Sequence, residues 1–218
     1  MTDLYGKQHS AWQEVFDTER LANAVKSNIV SAEIADEHKG FIESRDMFFL
    51  SSVDHRGYPT CTYKGGNPGF VKVLDSKTLV FPSYDGNGMF LSMGNITANP
   101  KIGMLFIDFE TPHRVRIHGT ATVDMHSPLL SQFPGAELIV IVNITEIFIN
   151  CTRYIHKYQR LKPSPYVPQK NCKAPLAQWK RIDNLQNALP ERDKHIAEAL
   201  GGTITSEEYV EMVIKGEA

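Results

Sequence analysis

Cysteine is scarce in this chain: Cys61, Cys151 and Cys172 are the only three in 218 residues, an odd number with no C-x-x-C spacing. That excludes a disulfide-stapled scaffold, and a reducing, cytoplasmic setting is the economical reading. An N-terminal apolar run of the signal-peptide kind is missing, as is any stretch long enough to span a bilayer, so no membrane partner is expected. An excess of one charge is missing too, with 23 Lys+Arg against 25 Asp+Glu and a formal net charge of -2. No global field then favours nucleic acid, and any phosphate site has to be local. The eight histidines are scattered, without H-E-x-x-H or paired Cys/His spacing, so no metal is expected. Neither G-x-G-x-x-G nor G-x-x-x-x-G-K-[ST] occurs, which removes the dinucleotide and NTP signatures.

What is present is 42% hydrophobic residues over a length sufficient for one well-buried domain, so residues 1–218 are read as a single domain. Residues 10–44 read as helical, with Ile34, His38, Phe41 and Ile42 gathered on one stripe. From Met47 the texture changes to short β runs at 47–53, 58–64, 70–74 and 78–82, separated by turn signals at 54–57 and 75–77. Residues 89–99 suit a short helix stopped by Asn99-Pro100. Further β runs lie at 101–109, 115–125 and 138–150. Six or more antiparallel strands with one interposed helix suit a barrel better than an open sheet.

Beyond Cys151, residues 154–160 look helical and basic. Pro163, Pro165, Pro168 and Pro175 make the next stretch extended. A long structureless connection has to pack on something, so residues 156–218 are read as an extension wrapping the barrel or a second subunit. Residues 206–215 form a terminal helix, with Ser206 as N-cap and Tyr209, Val210 and Val213 as its apolar side.

Chemistry can live in three places. Arg114, Arg116, His118, Thr120, Thr122 and Asp124 share one strand face, which is either a solvated surface or an anion site built on guanidinium forks. The loop Ser83-Tyr84-Asp85-Gly86-Asn87-Gly88 is either a surface turn or a cradle whose amides and adjoining helix face a phosphate. Lys64 ends a strand on which Thr60, Thr62 and Lys64 share one face and Cys61 and Tyr63 the other; it is a solvated edge charge or reaches a bound anion. Cys61 reads as a packed core residue rather than a nucleophile. Small residues in the turn Lys64-Gly65-Gly66-Asn67-Pro68-Gly69-Phe70 let a ligand approach the backbone.

The order of these motifs resembles the pyridoxamine 5'-phosphate oxidase-like, FMN-binding split-barrel family, in the subgroup with the Gly-Gly-x-Pro-Gly-Phe turn. It is carried by Phe48-Phe49-Leu50-Ser51-Ser52-Val53, Gly65-Gly66-Asn67-Pro68-Gly69-Phe70, Leu79-Val80-Phe81-Pro82, Gly86-Asn87-Gly88, Gly94-Asn95-Ile96, Arg116-Ile117-His118-Gly119 and Asn150-Cys151-Thr152-Arg153-Tyr154-Ile155. The resemblance implies a mainly β fold with flanking helices, a Greek-key split β-barrel over about 44–155. It implies a homodimer with FMN at the subunit interface, each site built from both chains.

On the same ground Thr60, Thr62, Tyr63 and Lys64 would run beside the isoalloxazine, Phe81, Ser83, Asn87 and Gly88 would line the cofactor, and Arg116 would stand near it. Relatives often carry Arg or Lys in the helix after the Gly-Asn turn. Here Met89, Phe90 and Leu91 take that place, leaving the phosphate to Lys64, Arg116 and Asn87. The function implied is an FMN-dependent oxidoreductase acting on a small substrate, with His118 and Tyr63 as acid/base helpers. A non-catalytic flavin-binding or storage module and a haem-handling protein are the alternatives on the same fold. The run Leu138-Ile139-Val140-Ile141-Val142, too continuous for a strand with one wet face, adds to the expectation of a dimer.

Overall fold

A computed structural model describes residues 3–170, 172 and 174–218. The chain divides into two compact units, 1–161 and 162–218.

The first unit opens with helices α1 (Lys7–Val15) and α2 (Glu19–Ile29), a two-residue strand β1 (Val30–Ser31) and helix α3 (Asp36–Ser44). The single helical stretch expected over 10–44 is thus three helices. Asp17 breaks the first join with φ 50°, and Val30 and Ser31 leave the helical path to pair with Phe148 and Ile147. A β-branched valine beside an open strand edge gains more from the ladder than from another helical turn. His38 and Ile42 are the buried residues of α3, as its apolar stripe requires.

Seven more strands complete the sheet: β2 (Met47–Val53), β3 (Pro59–Gly65), β4 (Lys72–Asp75), β5 (Thr78–Tyr84), β6 (Lys101–Asp108), β7 (His113–Asp124) and β8 (Ala136–Ile149). Helix α4 (Leu91–Ala98) stands between β5 and β6. All pairs are antiparallel, in the order β3-β2-β6-β7-β8-β5-β4, with β1 on β8. β3 and β4 do not pair, so the eight-stranded sheet curls without closing. Inside the curl the rings of Phe48, Phe70, Phe81 and Phe106 meet, with Phe48 5.0 Å from Phe81 and 5.1 Å from Phe106.

The apolar run of β8 has a different explanation from the one expected. Val140 and Val142 face the main core, while Ile139 packs in a second cluster with Val80 and Phe133, joined by Leu129, Leu130 and Ile141. Both faces are covered within one chain, so the run carries no information about a second copy.

Residues 151–161 form no helix. They run back over the β6–β7 turn: the Tyr158 amide donates to the Phe109 carbonyl at 3.0 Å, the Arg160 amide to Glu110 at 3.1 Å, and the Arg160 guanidinium to Asp46 at 2.6 Å. Tertiary partners therefore satisfy a backbone that the basic pattern assigns to a helix. Beside this strap, Asp108 pairs with Arg45 at 2.5 Å and accepts the amides of Glu110 and Thr111 at 2.9 Å each. Burial pushes its carboxyl up, but the Thr111 amide, the Arg45 guanidinium and the Glu110 amide outweigh this and hold it below the ordinary aspartate value. A depressed folded value stabilises the fold above the unfolded pKa, and that contribution disappears as pH falls through the folded value. Asp108→Asn is expected to lower the melting temperature at neutral pH and to flatten its fall below about pH 4, seen by thermal scans across pH.

In the second unit Lys180 and Asp193 pair at 2.9 Å, and both are buried, as are Ile182, Leu189 and Ile196. A short helix α5 (Ile196–Ala199) precedes the expected terminal helix, α6 (Ser206–Lys215). The N-cap of α6 is Thr205, one residue earlier than expected. Its hydroxyl accepts the Glu208 amide at 3.2 Å, and Glu208 accepts the Thr205 amide at 2.7 Å. This reciprocal box needs an acceptor three residues along, which Thr205 has in Glu208 and Ser206 lacks, having Tyr209 there. Thr205→Ala should cost about 1 kcal/mol, measurable as lost amide protection in α6. Among the described residues no helix is long and apolar enough to cross a membrane.

Candidate functional site

β3 is an end strand, so each side chain on it is read against one neighbour. Its register with β2 pairs Lys64 with Phe48, Thr62 with Leu50 and Thr60 with Ser52. Phe48, Leu50 and Ser52 are buried, which places Thr60, Thr62 and Lys64 on the inner face. Tyr63 and Cys61 pair with Phe49 and Ser51 and face outward. Cys61 is exposed, not packed in the core as expected, because the outer face of an end strand has nothing over it.

Helix α4 closes over the inner face with polar contacts. The Ser92 hydroxyl donates to Thr62 Oγ1 at 3.3 Å, and Asn95 Nδ2 donates to Ser52 Oγ at 3.0 Å and Thr60 Oγ1 at 3.2 Å. Ser92 stands in none of the motifs, and Asn95 stands in Gly94-Asn95-Ile96 without a site role attached to it. Their i, i+3 spacing among Leu91, Met93 and Ile96 is the available signal, since polar residues on an inward helix face seek partners. No side chain caps the start of α4, where Phe90 takes a left-handed φ of 48°. The N-cap residue itself thus offers the first-turn amides no side-chain acceptor.

Two residues beyond Thr62 on the same face stands Lys64. Burial pushes its ammonium below the ordinary lysine range. Among the described residues no carboxylate pairs with it. Burying an amine that could have stayed in water costs free energy unless an anion joins it.

The remaining expected residues are scattered more widely. Ser83 shares the inner face of β5 with Phe81, whose side chain is fully buried against Phe48. Asn87 is exposed, with Oδ1 accepting the Met89 amide at 3.1 Å, and Gly88 has φ 77°. The Gly-Gly turn is packed by the chain itself: a Cβ on Gly66 would lie 2.4 Å from Phe70 Cγ, and one on Gly65 2.8 Å from Tyr63 Cε1. Its small residues admit those rings, which is a different use from the ligand approach expected of them.

Arg116 does not join this set. It pairs with Leu105 on β6 and Phe148 on β8, and Leu105 pairs with Phe49. Arg116 therefore lies on the outer face with Phe49 and Tyr63, whereas Lys64 is on the inner face, three strands away. Beside it His118 Nδ1 meets Glu146 Oε1 at 2.7 Å. Arg114 adds a buried Nε without a partner. Burial, and then the charge of Asp46, push the Tyr63 phenol up.

A curled, unclosed antiparallel sheet with flanking helices, a basic residue at its inner edge and an uncapped helix start defines the class of split-barrel proteins. The family model described as Pyridoxamine 5'-phosphate oxidase matches residues 34–141. Over that segment the chain belongs to the pyridoxamine 5'-phosphate oxidase family. No protein with a curated description matches the sequence. Among solved structures, the chain is similar to tagged HupZ of Group A Streptococcus, at 20% identity and TM-score 0.45 over 58% of this chain and 99% of that one. It is similar to an FMN-binding protein of Syntrophomonas wolfei, at 13% identity and TM-score 0.42 over 64% and 97%. A third likeness is a protein of Clostridium acetobutylicum related to general stress protein 26, in the pyridoxinephosphate oxidase family, at 12% identity and TM-score 0.40 over 52% and 85%.

Proposed function

We propose that the protein is an FMN-binding flavoprotein that acts as an oxidoreductase on a small substrate, and that its site is completed by a second copy of the chain. The observation that carries the reading is Lys64, a half-buried ammonium without an anion, beside Thr62, Ser92 and the uncapped start of α4. An FMN phosphate supplies the missing charge, and the residues fit it: one ammonium, two hydroxyls and the amides at the start of α4 form a cradle rich in donors. Lys64 then takes the place left by Met89, Phe90 and Leu91, where relatives carry a basic residue.

Within this site Lys64 binds charge, while Ser92 and Thr62 orient it through hydroxyls that are already in mutual contact. Asn95 holds α4 against β2 and β3 through Ser52 and Thr60, so the cradle is rigid before a ligand arrives. Bound FMN would supply hydride or electron transfer. Arg116 and Tyr63 lie on the opposite sheet face and reach such a ligand only from another copy, which is the reason for a homodimer here. A cytoplasmic setting accords with the scarcity of cysteine.

The test is the visible spectrum of the purified protein with and without added FMN, together with its mass in solution. A flavin spectrum on a dimer that oxidises reduced nicotinamide supports the proposal. Bound flavin inert to donors and oxygen would mark a carrier; a colourless monomer after loading would sink it.

A further inference from the structure

The outer face of β6, β7 and β8 carries a second group of side chains that the cradle does not use. Arg116 is half-buried over the Phe148 ring, 5.6 Å from its centroid, and among the described residues it makes no ion pair. His118, two residues along the same face, stands edge-on to the same ring at 5.6 Å. Its Nδ1 is 2.7 Å from Glu146 Oε1, and the side chains are 44% and 13% exposed. The carboxylate therefore sits behind and the imidazole in front. The carboxylate thus engages Nδ1 and leaves Nε2 as the ring's other hydrogen-bonding nitrogen.

Next to the imidazole the sheet carries no side chain. Gly103 is the β6 partner of His118 and lies opposite Ser51 on β2. A Cβ on Gly103 would sit 3.7 Å from both His118 Cδ2 and Ser51 Cβ, in ordinary contact. Nothing in the packing demands glycine there, so a methyl can be added beside the imidazole without a clash and used as a probe of that surface.

We infer that this face binds a small carboxylate bearing a hydroxyl group, with its carboxylate on the Arg116 guanidinium and its hydroxyl hydrogen-bonded to His118 Nε2. The planar fork of Arg116 matches a carboxylate, and the His118 Nε2 beside it offers a hydrogen bond to a hydroxyl, which donates or accepts as the ring requires. Glu146 is a positioning residue that acts through His118. The inference deepens the flavin reading by naming a substrate class, and it rests on that reading only for the chemistry after binding.

The experiment titrates the flavin-free, full-length protein with lactate, propionate and lactamide, tracking the His118 ring and Arg116 guanidinium signals by nitrogen-proton NMR. Lactate should bind saturably, propionate several-fold more weakly for want of the hydroxyl, and lactamide at least tenfold more weakly for want of the charge. Arg116→Gln should lose lactate at least tenfold, and His118→Asn should erase the preference for lactate over propionate. Gly103→Ala, which packs without strain, should weaken lactate several-fold with an unchanged melting temperature. Equal binding of all three probes, or wild-type affinity in Arg116→Gln, overturns the assignment. Since no flavin is present, a protein that takes FMN but shows no lactate response overturns this inference alone, and one that binds lactate but never FMN overturns the flavin reading alone.

Discussion

Lys64→Gln is expected to reduce FMN affinity about 10- to 100-fold, because a charge-assisted hydrogen bond contributes about 1.5–3 kcal/mol and each 1.4 kcal/mol is tenfold. The flavin-free protein should be no less stable than before. In the absence of ligand Lys64 is a half-buried cation without a counter-charge, and a neutral amide of similar length removes that burden. The sign of the pH dependence comes from the same burial. Its folded pKa is lowered, so the unfolded chain holds the proton more tightly and stability rises with pH between the folded and unfolded values. The substitution should remove that rise. FMN affinity should itself decline once pH exceeds the folded value of Lys64, as the cradle loses its charge. Isothermal titration with FMN, paired with thermal scans of the flavin-free protein, reads both effects. An unchanged affinity would remove Lys64 from the cradle.

Gly119→Ala is expected to be among the most damaging single-methyl substitutions in this fold. The ladder between β7 and β8 shifts register between His118 and Gly119. A Cβ at Gly119 would stand 2.5 Å from the Asn143 carbonyl oxygen and 3.1 Å from Ile144 Cα. Both obstacles are backbone atoms of the central strand β8, which cannot swing aside as a side chain can. Overpacking usually costs about 1–3 kcal/mol, and an immovable neighbour puts this site at or above the top of that range. For a chain of this size about 3 kcal/mol lowers the melting temperature by roughly 6–12 °C. Gly103→Ala, one strand over with contacts of 3.7 Å, is the matched control. Similar melting temperatures for the two variants would contradict this account.

The strands are legible in the sequence because each carries its own alternation. Met47–Val53 and Lys101–Asp108 bury every second residue and end at local turn signals. The terminal helix is legible for a similar reason, and its cap is easily misplaced because Thr205 and Ser206 are both good capping residues. Only the residue three positions further distinguishes them. Residues 151–161 resist such reading, since what determines their path is Phe109, Glu110 and Asp46, distant in sequence. In the site, alternation correctly groups Thr60, Thr62 and Lys64. It cannot show that Arg116, correctly placed on its own strand, lies on the other side of the sheet, because that depends on strand order and register. Ser92 and Asn95 are obscured by the apolar spacing of α4, which draws attention to the residues packing the core and away from the polar ones between them.

The separation of Lys64 and Arg116 across the sheet has a genetic consequence. If each site draws Lys64 from one polypeptide and Arg116 from the other, Lys64→Gln and Arg116→Gln are defects of different halves of a shared site. Mixed assemblies of the two mutant chains would concentrate both lesions in one site and leave the other wild type. Co-expressed alleles that fail separately would then complement one another, whereas two lesions carried on the same chain would not complement each other in this way.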